Sequence, residues 1–383
     1  MKFESSSSIS KGLGNALETI SEVGSLPLIR GQWYFVDPTS GADTSDGRTI
    51  DTAVKGLKAA YDKVLDGDGI ALLSYGATAA ATTSYLTQDL VWAKNGITVV
   101  GIAAPVRMFG RARVANKTIV STVALTAVAN TSLTRASGSF IADGWEVGMQ
   151  FITNVNAVAL TVATVSATVI TITSGTLTVG AHTSVTSVMV NLMTVSGMNN
   201  RFYNVHFWNG GSNALEMGGV KVTGARNYFS NCHIVGSAAV AHASARSLEI
   251  NAGEENFFDS CTIGSDSIDR GNNAMTEIIL AGAAARNRFK ECEILMYVAA
   301  GTAAGAIRSN GTNGGRSTVF DRCVFNAAFS VTTPADVHLV TGTVSKIVMK
   351  GCSAYNFTGW GASAFVDGPA AAASAGGCLG TTE

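Results

Sequence analysis

Five of the six cysteines (Cys232, Cys261, Cys292, Cys323 and Cys352) recur at steps of 29, 31, 31 and 29 residues. Thiols at such regular spacing raise two chemistries, metal ligation and disulfide formation, and one bland alternative in which sulfur is a small hydrophobe. Zinc needs close CxxC or CxxxC pairs, which the spacing does not supply. Disulfides would leave one of the five over, and a chain assembled in a reducing cytoplasm keeps its thiols free. The spacing therefore predicts buried, reduced thiols with a packing role. Cys378 stands apart in a Gly/Ala-rich tail and receives no role.

The carboxylates come next. Glycan hydrolysis needs two of them about 5–9.5 Å apart. The acids of the repeating region are Glu216, Glu249, Glu254, Glu255, Asp259, Asp266, Asp269, Glu277, Glu291, Glu293, Asp321 and Asp336. Asp259 and Asp321 share a repeat position two periods apart, with Lys290 between them. An alternating charge ladder explains them as well as a catalytic pair does. Asp266 and Asp269 fall in a polar turn that could contribute to a groove. The cluster Asp37, Asp43 and Asp46 lacks the 1, 3, 5 and 12 spacing of a calcium loop, and its Asp and Gly content suits turns. Of the five histidines, His206 and His233 share a repeat position, which predicts stacking on one face; none shows metal-ligand spacing. No catalytic residue, metal ligand or cofactor is assigned, and the expectation is a non-enzymatic chain.

These residues are positioned by a repeat. Asn227-Tyr228-Phe229-Ser230-Asn231-Cys232 returns as Asn256-Phe257-Phe258-Asp259-Ser260-Cys261, as Asn287-Arg288-Phe289-Lys290-Glu291-Cys292, and as Thr318-Val319-Phe320-Asp321-Arg322-Cys323. Weaker copies flank them at Asn200-Arg201-Phe202 and at Val348-Met349. Short strands ending at Gly224, Gly253, Gly282 and Gly342 precede most copies. A period near 30 residues is too short for a domain and suits one coil of a parallel β-solenoid, which buries its apolar face by stacking. Stacked coils repeat every 4.8 Å or so, so Phe202, Phe229, Phe258, Phe289 and Phe320 and the five cysteines should form vertical ladders. The turns Asn209-Gly210-Gly211 and Asn313-Gly314-Gly315 read as corners.

At the front, Ile9, Leu13, Leu17 and Ile20 share one face of a weak amphipathic helix over residues 5–23. It serves equally well as an anchor or as a cap. Trp33-Tyr34-Phe35-Val36-Asp37 then leads through an Asp/Gly turn to a helical face made by Ala53, Leu57, Ala60, Tyr61 and Val64, and to a strand at Ile70. This order, over about residues 33–76, resembles the entry segment of pectate-lyase-like β-helix proteins of tailed phages. The resemblance implies a right-handed parallel β-helix, a homotrimer, and a place in a virion.

Residues 112–192 depart from the pattern. They are Thr/Val/Ala-rich, with Gly144-Trp145-Glu146-Val147-Gly148 before a strand, and read as an inserted small β-barrel or sandwich. That stretch is similar to small β modules of phage structural proteins. The chain thus divides into an N-terminal helical segment (1–32), a coil entry with capping helix and first rungs (33–111), the insert (112–192), the rungs (193–366) and the tail (367–383).

Composition bounds the function. Charged residues are 14% of the chain and net charge is −1, from 26 basic and 27 acidic side chains without a basic run. Phosphate backbones need a concentrated positive face, so nucleic acid is not expected. No apolar run is long enough to span a membrane, and the Ser-rich start lacks a signal-peptide core, which predicts assembly in a host cytoplasm. Low charge suits a surface partly covered by other subunits. The expectation is an all-β virion structural protein of a tailed bacteriophage, a homotrimer on the capsid surface as a decoration or turret. It would contact the major capsid protein or tail proteins, with a host surface glycan as a further partner. The alternatives are a tail spike or fibre that binds a receptor and, less favoured, a polysaccharide-cleaving depolymerase.

Overall fold

The computed structural model describes residues 29–74, 83–103, 111–238, 244–271, 275–300, 304–310, 318–341, 347–361, 364–366 and 378–380. Ile9, Leu13, Leu17 and Ile20, the turn at Asn313, and the tail apart from a strand at Cys378–Gly380 lie outside them.

Among the described residues the chain winds as a parallel β-helix of three sheets, holding ten, nine and seven strands, of which Cys378–Gly380 alone pairs antiparallel. The first is the phenylalanine sheet. Its strands include Trp33–Val36, Gly69–Ser74, Thr98–Ala103, Arg201–Tyr203, Tyr228–Ser230, Phe257–Asp259, Arg288–Lys290 and Thr318–Asp321. They pair in parallel so that Phe202, Phe229, Phe258, Phe289 and Phe320 are mutual register partners. Their rings stack at 4.8, 4.8, 4.7 and 4.5 Å between centroids, within 14° of parallel. The second, the histidine sheet, carries His206 beside His233; the third carries Met193, Val220, Leu248 and Ile278 inward.

The repeat motif makes each corner. One residue before every ladder cysteine, Asn231, Ser260, Glu291, Arg322 and Gly351 take φ of 48–57°, a left-handed bend that swings the chain from the phenylalanine sheet to the histidine sheet. The five ladder cysteines are unbridged thiols and are buried. Each thiol donates to the phenylalanine carbonyl of the rung before: Cys232 to Phe202, Cys261 to Phe229, Cys292 to Phe258 and Cys352 to Phe320 at 3.4 Å, and Cys323 to Phe289 at 3.5 Å. Burial pushes the Cys232 and Cys292 thiols well above their ordinary value, so they stay protonated.

The asparagine that opens the motif forms a third ladder, unassigned by pattern alone. The backbone N–H groups of Asn200, Asn227 and Asn256 donate to the side-chain oxygens of Asn227, Asn256 and Asn287 at 2.9–3.0 Å. The amides of Asn227, Asn256 and Asn287 donate in turn to the carbonyls of Gly197, Gly224 and Gly253. All four asparagines are buried, so these backbone N–H and carbonyl groups are satisfied away from solvent.

The core is closed below by the helix Leu57–Lys63, whose Leu57, Ala60 and Tyr61 are buried. Tyr61 packs on Trp92 at 4.6 Å, and Lys94 donates to the helix's terminal carbonyls of Tyr61 and Val64. The insert leaves after Ala112–Asn116 in the histidine sheet and returns at Asn191–Val195 in the third. Those two strands belong to rungs, so the antiparallel sheet itself runs from Val120 to Val188. It has eight strands and its own core around Phe140, Trp145 and Phe151. Because its inward residues share one core, the sheet must curl.

Candidate functional site

Strand side chains alternate, so each rung that sends a phenylalanine inward sends its two neighbours outward. The residue before the phenylalanine defines an outer column along the phenylalanine sheet. From the helix end it reads Trp33, Gly69, Thr98, Arg201, Tyr228, Phe257 and Arg288 in successive register. Six strand spacings make it about 29 Å long. The residue after the phenylalanine adds Tyr203, Ser230, Asp259, Lys290, Asp321 and Lys350.

Three aromatic rings form a half-buried stripe here. Tyr203 meets Tyr228 at 5.6 Å between centroids, and Tyr228 meets Phe257 at 5.4 Å. The Arg288 guanidinium lies 5.7 Å over Phe257, and Arg201 is exposed at the other end. The Tyr228 hydroxyl donates to the Asp259 carboxylate at 2.9 Å. Burial and that neighbouring charge hold its pKa up to about 12. Trp33 covers Gly69 so closely that a Cβ there would sit 2.5 Å from the indole.

Below Arg201 the stripe opens into a cavity of about 460 Å³, walled by Arg30, Asp66, Asn95, Thr98, Asn199 and Arg201. Its floor is a corner of the coil where Gly67 and Gly96 take φ of 88° and 66°. The rungs above bend at the same place through Asn199, Arg226, Glu255 and Arg286, at φ of 57–59°. A backbone ladder proves the equivalence: Gly67 donates to Asn95, Gly96 to Met198, Asn199 to Ala225, Arg226 to Glu254 and Glu255 to Ala285. Two successive glycines in this column remove side chains and leave the hollow.

The acids singled out by sequence fall in several places. Asp259, Lys290, Asp321 and Lys350 are stacked neighbours; Lys290 lies 3.9 Å from Asp259, and Asp321 is held low in pKa chiefly by Arg288. Glu254, Glu255 and Glu291 are tied to Arg286, Arg226 and Arg322. Glu277 is fully buried against Arg270 at 3.0 Å. Glu249 is bound to Arg246, and Asp269 accepts from Gly271 and Ala299. Asp37 and Asp46 accept backbone N–H bonds in their own turns, and Asp43 accepts from Lys55 and Gly56 at the start of the capping helix. On the opposite corner Asp89, just before its strand, is pushed up to about 7 by burial, with Glu216 adding to the shift. The Glu216 carboxylate accepts from the backbone N–H of Asn213 at 2.9 Å.

His206 and His233 stack at 4.5 Å and 11°. Burial, with each other and Arg113 and Arg111 nearby, lowers His206 to about 2; burial lowers His233 to about 4.

The anchor, Phe and Cys assignments named no surface. The outer column, Arg201 and the glycine corner were missed, although the position before each phenylalanine reads Arg, Tyr, Phe, Arg and Val once the copies are aligned.

No protein-family model and no curated protein matches the chain. Solved structures similar to it include a pectate lyase (14% identity, TM-score 0.44, covering 84% of this chain and 62% of that one). A tailspike protein of Pseudomonas phage LKA1 aligns at 14% identity and TM-score 0.28, over 78% of this chain and 56% of that one. A pectin methylesterase aligns at 13% identity and TM-score 0.43, over 88% and 82%. The chain thus spans less than two thirds of the pectate lyase and of the tailspike. The expectation of a non-enzymatic chain is corrected at this point. Enzymes, a pectate lyase and a pectin methylesterase, stand among these neighbours.

Proposed function

We propose that this chain recognises a polysaccharide along the outer face of the phenylalanine sheet, as the glycan-binding coil of a tailspike-type protein in a phage virion. The observation that carries this reading is the aromatic stripe Tyr203, Tyr228 and Phe257, set between Arg201 and Arg288 and opening into the 460 Å³ cavity. Aromatic faces offer a sugar ring's C–H surface a flat apolar platform, while the flanking hydroxyl and guanidinium groups supply directional hydrogen bonds. Tyr203 packs on a small buried cluster around Phe35, Ala71 and Val100, but Tyr228 and Phe257 belong to no core, and their column carries Val319 and Val348 further along.

The virion placement rests on the entry segment's resemblance to phage β-helix proteins, and assembly as a homotrimer with other virion proteins belongs to the same proposal. The test is an array of bacterial capsular polysaccharides and O-antigens probed with the full chain. Retention of a subset supports recognition; retention of none sinks the reading. Assaying the retained polymers for new reducing ends or unsaturated sugars then determines whether the bound chain is also cleaved. Copy number per particle distinguishes a tailspike, with a few trimers, from a head decoration, with hundreds.

A further inference from the structure

The glycine corner invites a closer comparison with the rungs above it. There the same left-handed position carries Arg226, Glu255 and Arg286, and these side chains pair along the axis: Arg226 with Glu255 at 2.7 Å, and Arg286 with Glu254 and Glu255. Further along the outer face Arg288 meets Asp321 and Arg322 meets Glu291. The cavity breaks that rule twice. Gly67 and Gly96 give no side chain, and among the described residues neither Arg30 nor Arg201 meets a carboxylate. The one acid in the wall, Asp66, is occupied by the backbone N–H of Asn95 at 2.9 Å and by its side-chain amide at 3.1 Å. The wall therefore holds two arginines with unspent charge against one engaged carboxylate. A guanidinium fork matches the two oxygens of a planar carboxylate, and such charge-assisted pairs are about twice as strong as neutral hydrogen bonds.

We infer that the cavity floored by Gly67 and Gly96 is a subsite for a sugar residue bearing a carboxylate, which Arg30 and Arg201 would hold while the neighbouring residues of the glycan lie on the aromatic stripe. The inference rests on the glycan reading above and narrows it to acidic polymers. The glycines are part of the site, because a side chain at either corner would occupy the hollow. Space is free for one, since a Cβ at Gly96 comes no nearer than 3.7 Å to Gly67; its φ of 66° strains most side chains, but the next corner along is Asn199 at φ 57°. Asparagine is among the residues that tolerate this conformation best.

The experiment uses the full chain and acidic polymers retained on the capsule and O-antigen array, each beside its carboxyl-reduced form, in which the same ring is neutral. Binding should fall at least tenfold on carboxyl reduction. Arg201→Gln should lose a comparable factor for the acidic polymer and almost none for the reduced one. Gly96→Asn should stay folded, with a small drop in melting temperature, and still lose tenfold, because it fills the hollow while keeping the bend. The subsite is overturned if the reduced polymer binds within twofold of the acidic one, or if neither Arg201→Gln nor Gly96→Asn discriminates between them. Retention of neutral polymers alone overturns the subsite and leaves glycan recognition standing; retention of none overturns both.

Discussion

The two faces of the phenylalanine sheet are made by the same strands and obey opposite rules. Inward, one residue type repeats through five rungs, and its rings stack at nearly the strand spacing. Outward, the adjacent column changes at almost every step, from Trp33 through Gly69, Thr98, Arg201, Tyr228 and Phe257 to Arg288. Sameness is what a stack needs, because each coil buries its apolar face only against an equivalent neighbour. Where burial no longer imposes a residue, variation reports another demand. On this coil the regular face explains why it folds, and the irregular face, from Arg201 onward, is the one on which the proposed glycan would lie.

The contrast is broken most severely from inside. Phe289→Asp puts an unpaired charge into the middle of the ring stack, at a cost on the order of 5 kcal/mol or more. The coil should unfold or aggregate, as read by circular dichroism and sedimentation; a variant that folds normally contradicts the ladder. Glu277→Gln leaves Arg270, wholly buried, without its counter-charge, and should destabilise by about 3–5 kcal/mol in denaturant titration. Asn256→Ala comes next. It strips an acceptor from the backbone N–H of Asn227 and a donor from the Gly224 carbonyl, for about 2–3 kcal/mol.

A gentler perturbation is pH. His206 and His233 bind protons more weakly when folded than when unfolded, because burial penalises the charged rings beside Arg111 and Arg113. The stability they confer is therefore full above pH 6.5 and is lost as pH falls below it, toward the folded values of about 2 and 4. Melting temperature should drop steadily from pH 6.5 to 4, and His206→Phe should flatten that slope. An unchanged slope in the variant assigns the acid sensitivity elsewhere.

Much of the inner face is legible in the sequence, for a physical reason. Phe229, Phe258, Phe289 and Phe320 with Cys261, Cys292 and Cys323 keep their spacing because each must meet its copy at one strand's distance. The asparagine ladder stands in the same motif, yet a pattern cannot tell a turn former from a buried bracket without the carbonyls of Gly197, Gly224 and Gly253 in place. The outer face escapes a search for repeats because its residues differ from rung to rung. The glycine corner is hidden twice over: Gly67 and Gly96 are one period apart, but the insert separates Gly96 from Asn199 and conceals that all three are one column. Asp259 and Asp321 were correctly placed at one repeat position, and Lys290 between them makes a charge ladder.

The smallest effect on stability and the largest on function should come together in one double variant, Tyr228→Ala with Phe257→Ala. Both rings are half-buried on the outer face, so the coil should remain folded. The decisive measurement is the affinity of this variant, beside the parent chain, for a polysaccharide retained on the array, with far-ultraviolet circular dichroism taken on the same samples. Recognition along the phenylalanine sheet requires a loss of at least tenfold with the spectrum unchanged. Equal affinity in a folded double variant would contradict it, and would move the search for the glycan to another face of the coil.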